Sequence, residues 1–173
     1  MVRASGREDL PMRPADHPDF FRLPAPEGRS RESTIRLDAL GRFFHDGELV
    51  RHRPMARAFA SWIARHPDDG RFILTNGWDW TYLTVEDVPY FVEGVRRGAE
   101  GPLLVLFDGS EEPLDPTTLR LDPRGVVYAR VKAGAFDARF LPRAQLELAP
   151  WLEEEPDGSI VLVCGDRRHG IGA

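Results

Sequence analysis

The 173-residue chain has one cysteine, one lysine and no long apolar run, and each shortage excludes something. With Cys164 alone, no intrachain disulfide and no multi-cysteine zinc site can form. Of the 23 basic residues, all but Lys132 are arginine. That bias reads first as the codon usage of a GC-rich genome and second as a capacity for bidentate anion contacts. The most apolar runs, 103–107 and 160–164, fall far short of the roughly 20 residues that span a bilayer. Met1 to Asp9 lacks the apolar stretch of a signal peptide, so a cytoplasmic protein without membrane association is expected. Rossmann and P-loop glycine patterns are missing, as is a nucleophile-elbow serine. The histidines (His17, His45, His52, His66, His169) have no metal-ligand spacing. No catalytic residue, metal or cofactor is therefore assigned. A net charge of −5 and a pI near 5.6 argue against nucleic acid as partner.

What is present describes an ordinary globular chain, 42% hydrophobic and 29% charged, of single-domain size. Residues 1–32 stand apart. Pro11, Pro14, Pro18, Pro24 and Pro26 oppose regular structure, and Phe20, Phe21 and Leu23 offer an apolar anchor. This predicts a partly flexible N-terminal arm, mobile at its extreme end and ordered and extended from about residue 18. From residue 33 strands and turns alternate. Ile35 to Asp38 reads as a strand, and Gly41 permits a turn. Arg42 to His45 and Glu48 to His52 flank the Asp46-Gly47 hairpin signal. Pro54 suits a first helical turn, and Met55, Phe59, Trp62 and Ile63 share a helical face. Arg71 to Thr75, a type I′ turn at Asn76-Gly77, and a return strand from Trp78 to Val85 follow. Two more strands are expected at 90–96 and 103–107.

Punctuation then recurs. Ile35 to Gly41 is matched by Leu119 to Gly125, Gly47 by Gly134, Pro54 by Pro142, and Asp69-Gly70 by Asp157-Gly158, these two dipeptides each just before an apolar strand. A β-β-β-α-β unit read twice gives an α+β fold of two related units with an antiparallel meander between them. The divisions are 1–32 (arm), 33–116 (first unit with added hairpin strands) and 117–173 (second unit). Both repeat hairpins are mildly basic, and the stretch 68–116 is acidic.

Several side chains are candidates for function, each with a plainer alternative. Trp78, Trp80 and Tyr82 alternate and so share one strand face. They form either a ligand wall or packing against the helix or the arm. His45 beside the Asp46-Gly47 turn, with Arg51 and Arg53 returning, suggests a small anion site. Lys132 and Arg139 on the second hairpin would extend it if the hairpins converge. Asp108, Glu111, Glu112 and Asp115 crowd one loop without calcium-ligand spacing, which predicts a solvated connection. Glu86 and Asp87 are adjacent and point to opposite faces, so an acid–base role would need His45 to reach one of them.

The set Ile35-Arg36-Leu37, Gly41 to Gly47, the helix around Phe59, Gly70 to Thr75 and Val85 to Tyr90, with Tyr128 to Lys132 and Ala138 to Phe140, resembles the bacterial domain-of-unknown-function family numbered 1285. The resemblance covers 33–173; Thr75-Asn76 stands where a Thr-Pro is typical. It implies a duplicated α+β architecture and a ligand-binding or signalling role, and it assigns no reaction or catalytic residue. The leading reading is a non-enzymatic protein binding a small anionic molecule or a protein partner. Its contacts would come from Trp78, Trp80, Tyr82, His45, Arg51, Lys132 and Arg139. The alternatives are a module that self-associates as a homodimer through its aromatic face, and an enzyme using His45 with Glu86 or Asp87.

Overall fold

The computed structural model describes residues 12–172, so the expectation for the extreme N-terminal end lies outside the described residues. It is an α+β fold of two short α-helices and sixteen strands in four sheets. The first run holds β1 (Arg36–Leu37), β2 (Phe43–His45), β3 (Glu48–Leu49), α1 (Arg53–Ser61), β4 (Ile63–Arg65), β5 (Phe72–Thr75), β6 (Trp80–Tyr82) and β7 (Thr84–Val85). Then come β8 (Tyr90–Arg97), β9 (Pro102–Leu106) and β10 (Glu111–Pro113). The last run holds β11 (Arg120–Leu121), β12 (Val127–Val131), β13 (Phe136–Phe140), α2 (Pro142–Leu148), β14 (Leu152–Glu154), β15 (Ile160–Cys164) and β16 (Arg167–Gly170).

The sheets are β3-β2-β1-β7, β4-β5-β6, β10-β9-β8-β13-β12-β11 and β14-β15-β16. The meander expected between two units is therefore one half of the six-stranded sheet. β8 pairs with β13 in parallel, Tyr90 against Ala138 and Val92 against Phe140. The boundary drawn at 116/117 cuts across that sheet. β8 is central and buried on both faces, which suits its near-continuous apolar sequence Tyr90-Phe91-Val92. A bulge lies between Val92 and Gly94, and there Glu147 of α2 accepts the Val95 N–H at 2.8 Å. A sheet irregularity is thus closed by a helix side chain, because an unpaired buried N–H is costly.

One continuous core runs from Ile35 to Leu162, with Phe43, Phe91 and Phe140 almost fully enclosed. α1 lays Ala56, Phe59 and Ala60 against it, while Met55 is 48% exposed. Of the face expected, Phe59, Trp62 and Ile63 pack on the core, the last two just beyond the helix end, and only Met55 turns outward. His52 caps α1, its Nδ1 accepting from Met55 N at 3.3 Å.

A second, smaller cluster lies on the outer face of β4-β5-β6, where Ile73 and Trp80 meet Phe20, Ala15 and Phe21. Here residues 14–22 form two single 3-10 turns, not an extended segment. Arg22 spans both oxygens of Asp68 (2.8 and 3.0 Å), and His66 Nε2 lies 3.1 Å from the Phe21 carbonyl. Since His66 Nδ1 accepts the Asp68 N–H, Nε2 is the protonated nitrogen and donates to Phe21. Phe20→Ala is expected to loosen this contact selectively. Losing about 2 kcal/mol of local docking corresponds to roughly 30-fold faster trypsin cleavage after Arg22 and Arg29. The unfolding midpoint of the body should move little. Unchanged cleavage would show that Phe20 does not hold the segment.

Candidate functional site

The sequence candidates do not converge; most are already paired. Trp78 lies in the loop before β6 and is 60% exposed, whereas Trp80 is 5% exposed. The three aromatics therefore do not form one open row. The cause is the Asn76 side chain, whose Oδ1 accepts the N–H of Trp78 and Asp79 (2.8 and 2.9 Å). Asn76 keeps a negative φ, so the predicted type I′ turn is replaced by a four-residue loop closed by the Thr75–Trp80 pair. Trp80 and Tyr82 meet edge to face at 5.2 Å and both lean on His66. Arg31 stacks 4.5 Å above Trp80 and binds Asp79 and the Trp80 carbonyl. Their face is occupied by the chain's own N-terminal segment, which leaves a self-associating aromatic surface only Trp78.

His45 is exposed and has Asp46 as its carboxylate neighbour at 3.7 Å. Strand register separates it from the acids proposed as its partners. Phe44 is level with Arg36, which is level with Thr84, so His45 lies two strands and three residues from Glu86. Glu86 is held by Arg36 and by the Ala39 N–H. Asp87 accepts from the Tyr128 hydroxyl at 3.0 Å and from Arg139 at 3.1 Å. Arg139 is thus spent inside the six-stranded sheet, and burial together with Asp87 pushes the Tyr128 phenol up. Arg51 is exposed before α1.

Lys132 is also committed. Its Nζ donates to Asp108 at 2.7 Å and to Ser110 at 2.6 Å, above the Tyr90 ring. Glu112 accepts the Lys132 N–H. The acidic loop expected to be solvated is instead folded onto the one lysine. Burial opposes ionisation of Asp108, yet the bonds from Lys132 and Ser110 outweigh it and hold the carboxyl below its ordinary range. Burial, with Asp108 and Glu112 nearby, pushes the Tyr90 phenol far up.

Besides smaller hollows of about 150 and 200 Å³, two concavities are of ligand size. The first, about 380 Å³, lies where the first run meets the six-stranded sheet. Gly41, Phe43, Arg53, Ala56, Arg57, Glu93 and Phe107 line it. Arg53 and Arg57 are one helical turn apart on α1 and so share a face. Arg57 rests over Gly109 and lies 3.9 Å from Glu93, a loose pairing. Arg53 forms no ion pair among the described residues. Sequence reading placed Arg53 beside His45 and Arg51, and missed Arg57, which the i, i+4 spacing from Arg53 could have signalled. The second concavity, about 390 Å³, lies against the β15–β16 hairpin. Among the described residues no group of three or more His, Cys, Asp or Glu is placed to hold a metal, and no helix is long and apolar enough to cross a membrane.

An α+β chain with a central mixed sheet defines a class of fold, and solved structures share it. The chain is similar to the crystal structure of a DUF1285 family protein from Silicibacter pomeroyi DSS-3, with a TM-score of 0.64 and 19% identity, over 88% of this chain and 92% of that one. It is also similar to a DUF1285 family protein from Shewanella baltica OS155, with a TM-score of 0.56 and 18% identity, over 70% of this chain and 94% of that one. No protein-family model matches the sequence, and no curated protein does. At these identities the likeness is one of fold: the α+β class that the resemblance implied, in structures of the family it named.

Proposed function

We propose that the protein binds a small anion in the cleft between the first run and the six-stranded sheet. The observation that carries this reading is the Arg53–Arg57 pair, two guanidiniums on one helix face, one unpaired and one loosely paired, at the edge of a concavity of ligand size. A planar guanidinium fork suits a multi-oxygen anion such as a phosphate or a carboxylate. Both side chains stand in the first turns of α1, where the helix dipole favours negative charge. Glu93 on the opposite wall selects against ligands that cannot keep their charge away from it. The reading is one of binding, because Glu86, Asp87 and Asp108 already have their hydrogen-bond partners within the fold. A place in regulation or signalling belongs to the same proposal.

Titration with inorganic phosphate and pyrophosphate, followed by calorimetry and thermal unfolding, tests it. Pyrophosphate is expected to raise the unfolding midpoint, and each of Arg53→Ala and Arg57→Ala to weaken binding about tenfold, or ~1.4 kcal/mol. No binding, or equal binding by the double variant, would overturn the assignment. Native mass spectrometry of the purified protein would show whether an anion is retained.

We further propose that the chain consists of two related units. The support is a shared element run, β-β-β-α-β-β-β, in β1–β6 with α1 and in β11–β16 with α2. The opening turns also share their bonding. Asp38 Oδ1 accepts the N–H of Leu40 and Arg42, and Asp122 Oδ1 accepts those of Arg124 and Val126. Gly41 and Gly125 close the turns with φ of 76° and 80°.

A further inference from the structure

The second concavity has a character opposite to the first. Its walls are Pro102 and Leu103 of β9, Pro113 of β10, Leu114 and Pro116, with the β15–β16 hairpin opposite. The register of that hairpin decides which side chains face the cleft. Leu162 pairs with His169 and Cys164 with Arg167, and residues two apart on a strand share a face. Leu162 and Cys164 both pack on the main core, so His169 and Arg167 project from the same side of the hairpin. Gly101, at the β8–β9 turn, has φ of 152°, and a Cβ there would lie 3.0 Å from Cys164 Sγ. Glycine thus lets the turn press against the hairpin and close one end of the cleft.

Charge completes the description. Arg168, on the other face, is taken up by Glu153 and Glu155 at 2.9 and 2.7 Å. Arg167 forms no ion pair among the described residues, although it lines the cleft. His169 adds a ring nitrogen beside it. Two acids are near: Glu100 lines the cleft on the β8–β9 turn, and Asp115 is engaged by the Thr117 N–H and hydroxyl at 3.0 and 2.7 Å. Burial pushes the Cys164 thiol up, so this part of the wall is uncharged at neutral pH.

We propose that this cleft, of about 390 Å³, is a second site, taking a small monocarboxylate with an apolar body, its carboxylate on Arg167 and His169 and its chain along Pro102, Leu103 and Leu114. An apolar enclosure with one unsatisfied cation at its rim recognises this ligand class by complementarity of both surface and charge. The site is independent of the Arg53–Arg57 cleft, which lies on other elements.

Cys164 is the sole cysteine and serves as a reporter within the site. Octanoate is the probe, octanol its uncharged control and inorganic phosphate its apolar-free control. Octanoate is expected to slow reaction of Cys164 with N-ethylmaleimide at least fivefold in a saturable manner. The Arg167→Ala variant should need about tenfold more octanoate for the same protection. Octanol should protect weakly and phosphate not at all. Calorimetric titration of octanoate into both proteins reads the same contrast without the thiol, should the cysteine react too slowly to time. Absence of octanoate binding overturns the proposal, and so does equal affinity of Arg167→Ala or of octanol. Loss of pyrophosphate binding at Arg53 and Arg57 would leave it untouched.

Discussion

Replacing Gly41 by alanine is expected to destabilise the protein by about 3–4 kcal/mol, against about 1–2 kcal/mol for Gly125→Ala. The two glycines close turns of the same bonding, at almost the same φ. Both variants therefore incur the left-handed cost of an L-residue, about 1–2 kcal/mol. Only one meets a neighbour. A Cβ on Gly41 would stand 2.9 Å from Cγ of Phe91 and 3.2 and 3.3 Å from its Cδ atoms, whereas a Cβ on Gly125 finds nothing within 4 Å. Phe91 is fully buried in β8 and packs edge to face with Phe107 at 5.4 Å, so its ring has no direction in which to yield. Overpacking adds about 1–3 kcal/mol on that account. Urea unfolding of the two variants measures the difference directly. In a chain of this length it corresponds to a gap of roughly 4–8 °C in Tm. Equal losses would mean that Phe91 does not fix the first turn against the central sheet.

That contrast shows what the sequence made legible. The Asp-x-x-Gly spacing announces both turns, because a carboxylate accepting two N–H groups and a glycine at positive φ are local requirements. Asp46-Gly47 is legible for the same reason: its φ values of 51° and 80° are those of a two-residue turn, closed by the His45–Glu48 pair. Asn76-Gly77 carries a similar signal and misleads, because the Asn76 carboxamide binds the two following N–H groups and opens the loop. The parallel pairing of β8 with β13 was beyond reach, since residues 48 apart meet there and no local pattern records it. The meander expected to stand between two units therefore shares one sheet with β11, β12 and β13.

The site was less legible than the fold for a related reason. Residue type announces what a side chain can bind, and distant chain decides what it does bind. Lys132 and Arg139 look like anion contacts until Asp108 and Asp87 arrive from 24 and 52 residues away. Trp80 looks like a wall until Phe20, Phe21 and Arg31 cover it. Among the cations left without a firm partner, Arg53, Arg57 and Arg167 have no distinguishing sequence around them; what marks them is concavity.

The clearest case of a cation claimed by the fold is Lys132, and its loss of partner should be costly. Asp108→Ala is expected to reduce stability by about 2–4 kcal/mol. The Asp108 side chain is 7% exposed and that of Lys132 27%. Truncating the acid leaves the ammonium with the neutral Ser110 oxygen as its side-chain acceptor and no counter-charge, and leaves the Ser110 hydroxyl without its acceptor, in a loop whose Lys132 and Ala133 already hold positive φ. Removing the charge as well should restore part of the loss, so Asp108→Ala with Lys132→Met is expected to be at least 1 kcal/mol more stable than Asp108→Ala alone. The pH dependence has a definite sign. The folded-state pKa of Asp108 lies below that of the free carboxyl, so the folded protein binds fewer protons there than the unfolded chain. Its contribution is fully present above the ordinary aspartate value of about 4 and is lost as pH falls through the folded value. Stability measured by urea between pH 7 and pH 3 should therefore fall more steeply for the native sequence than for Asp108→Asn. Parallel slopes would mean that the Lys132 contact contributes packing and no charge stabilisation.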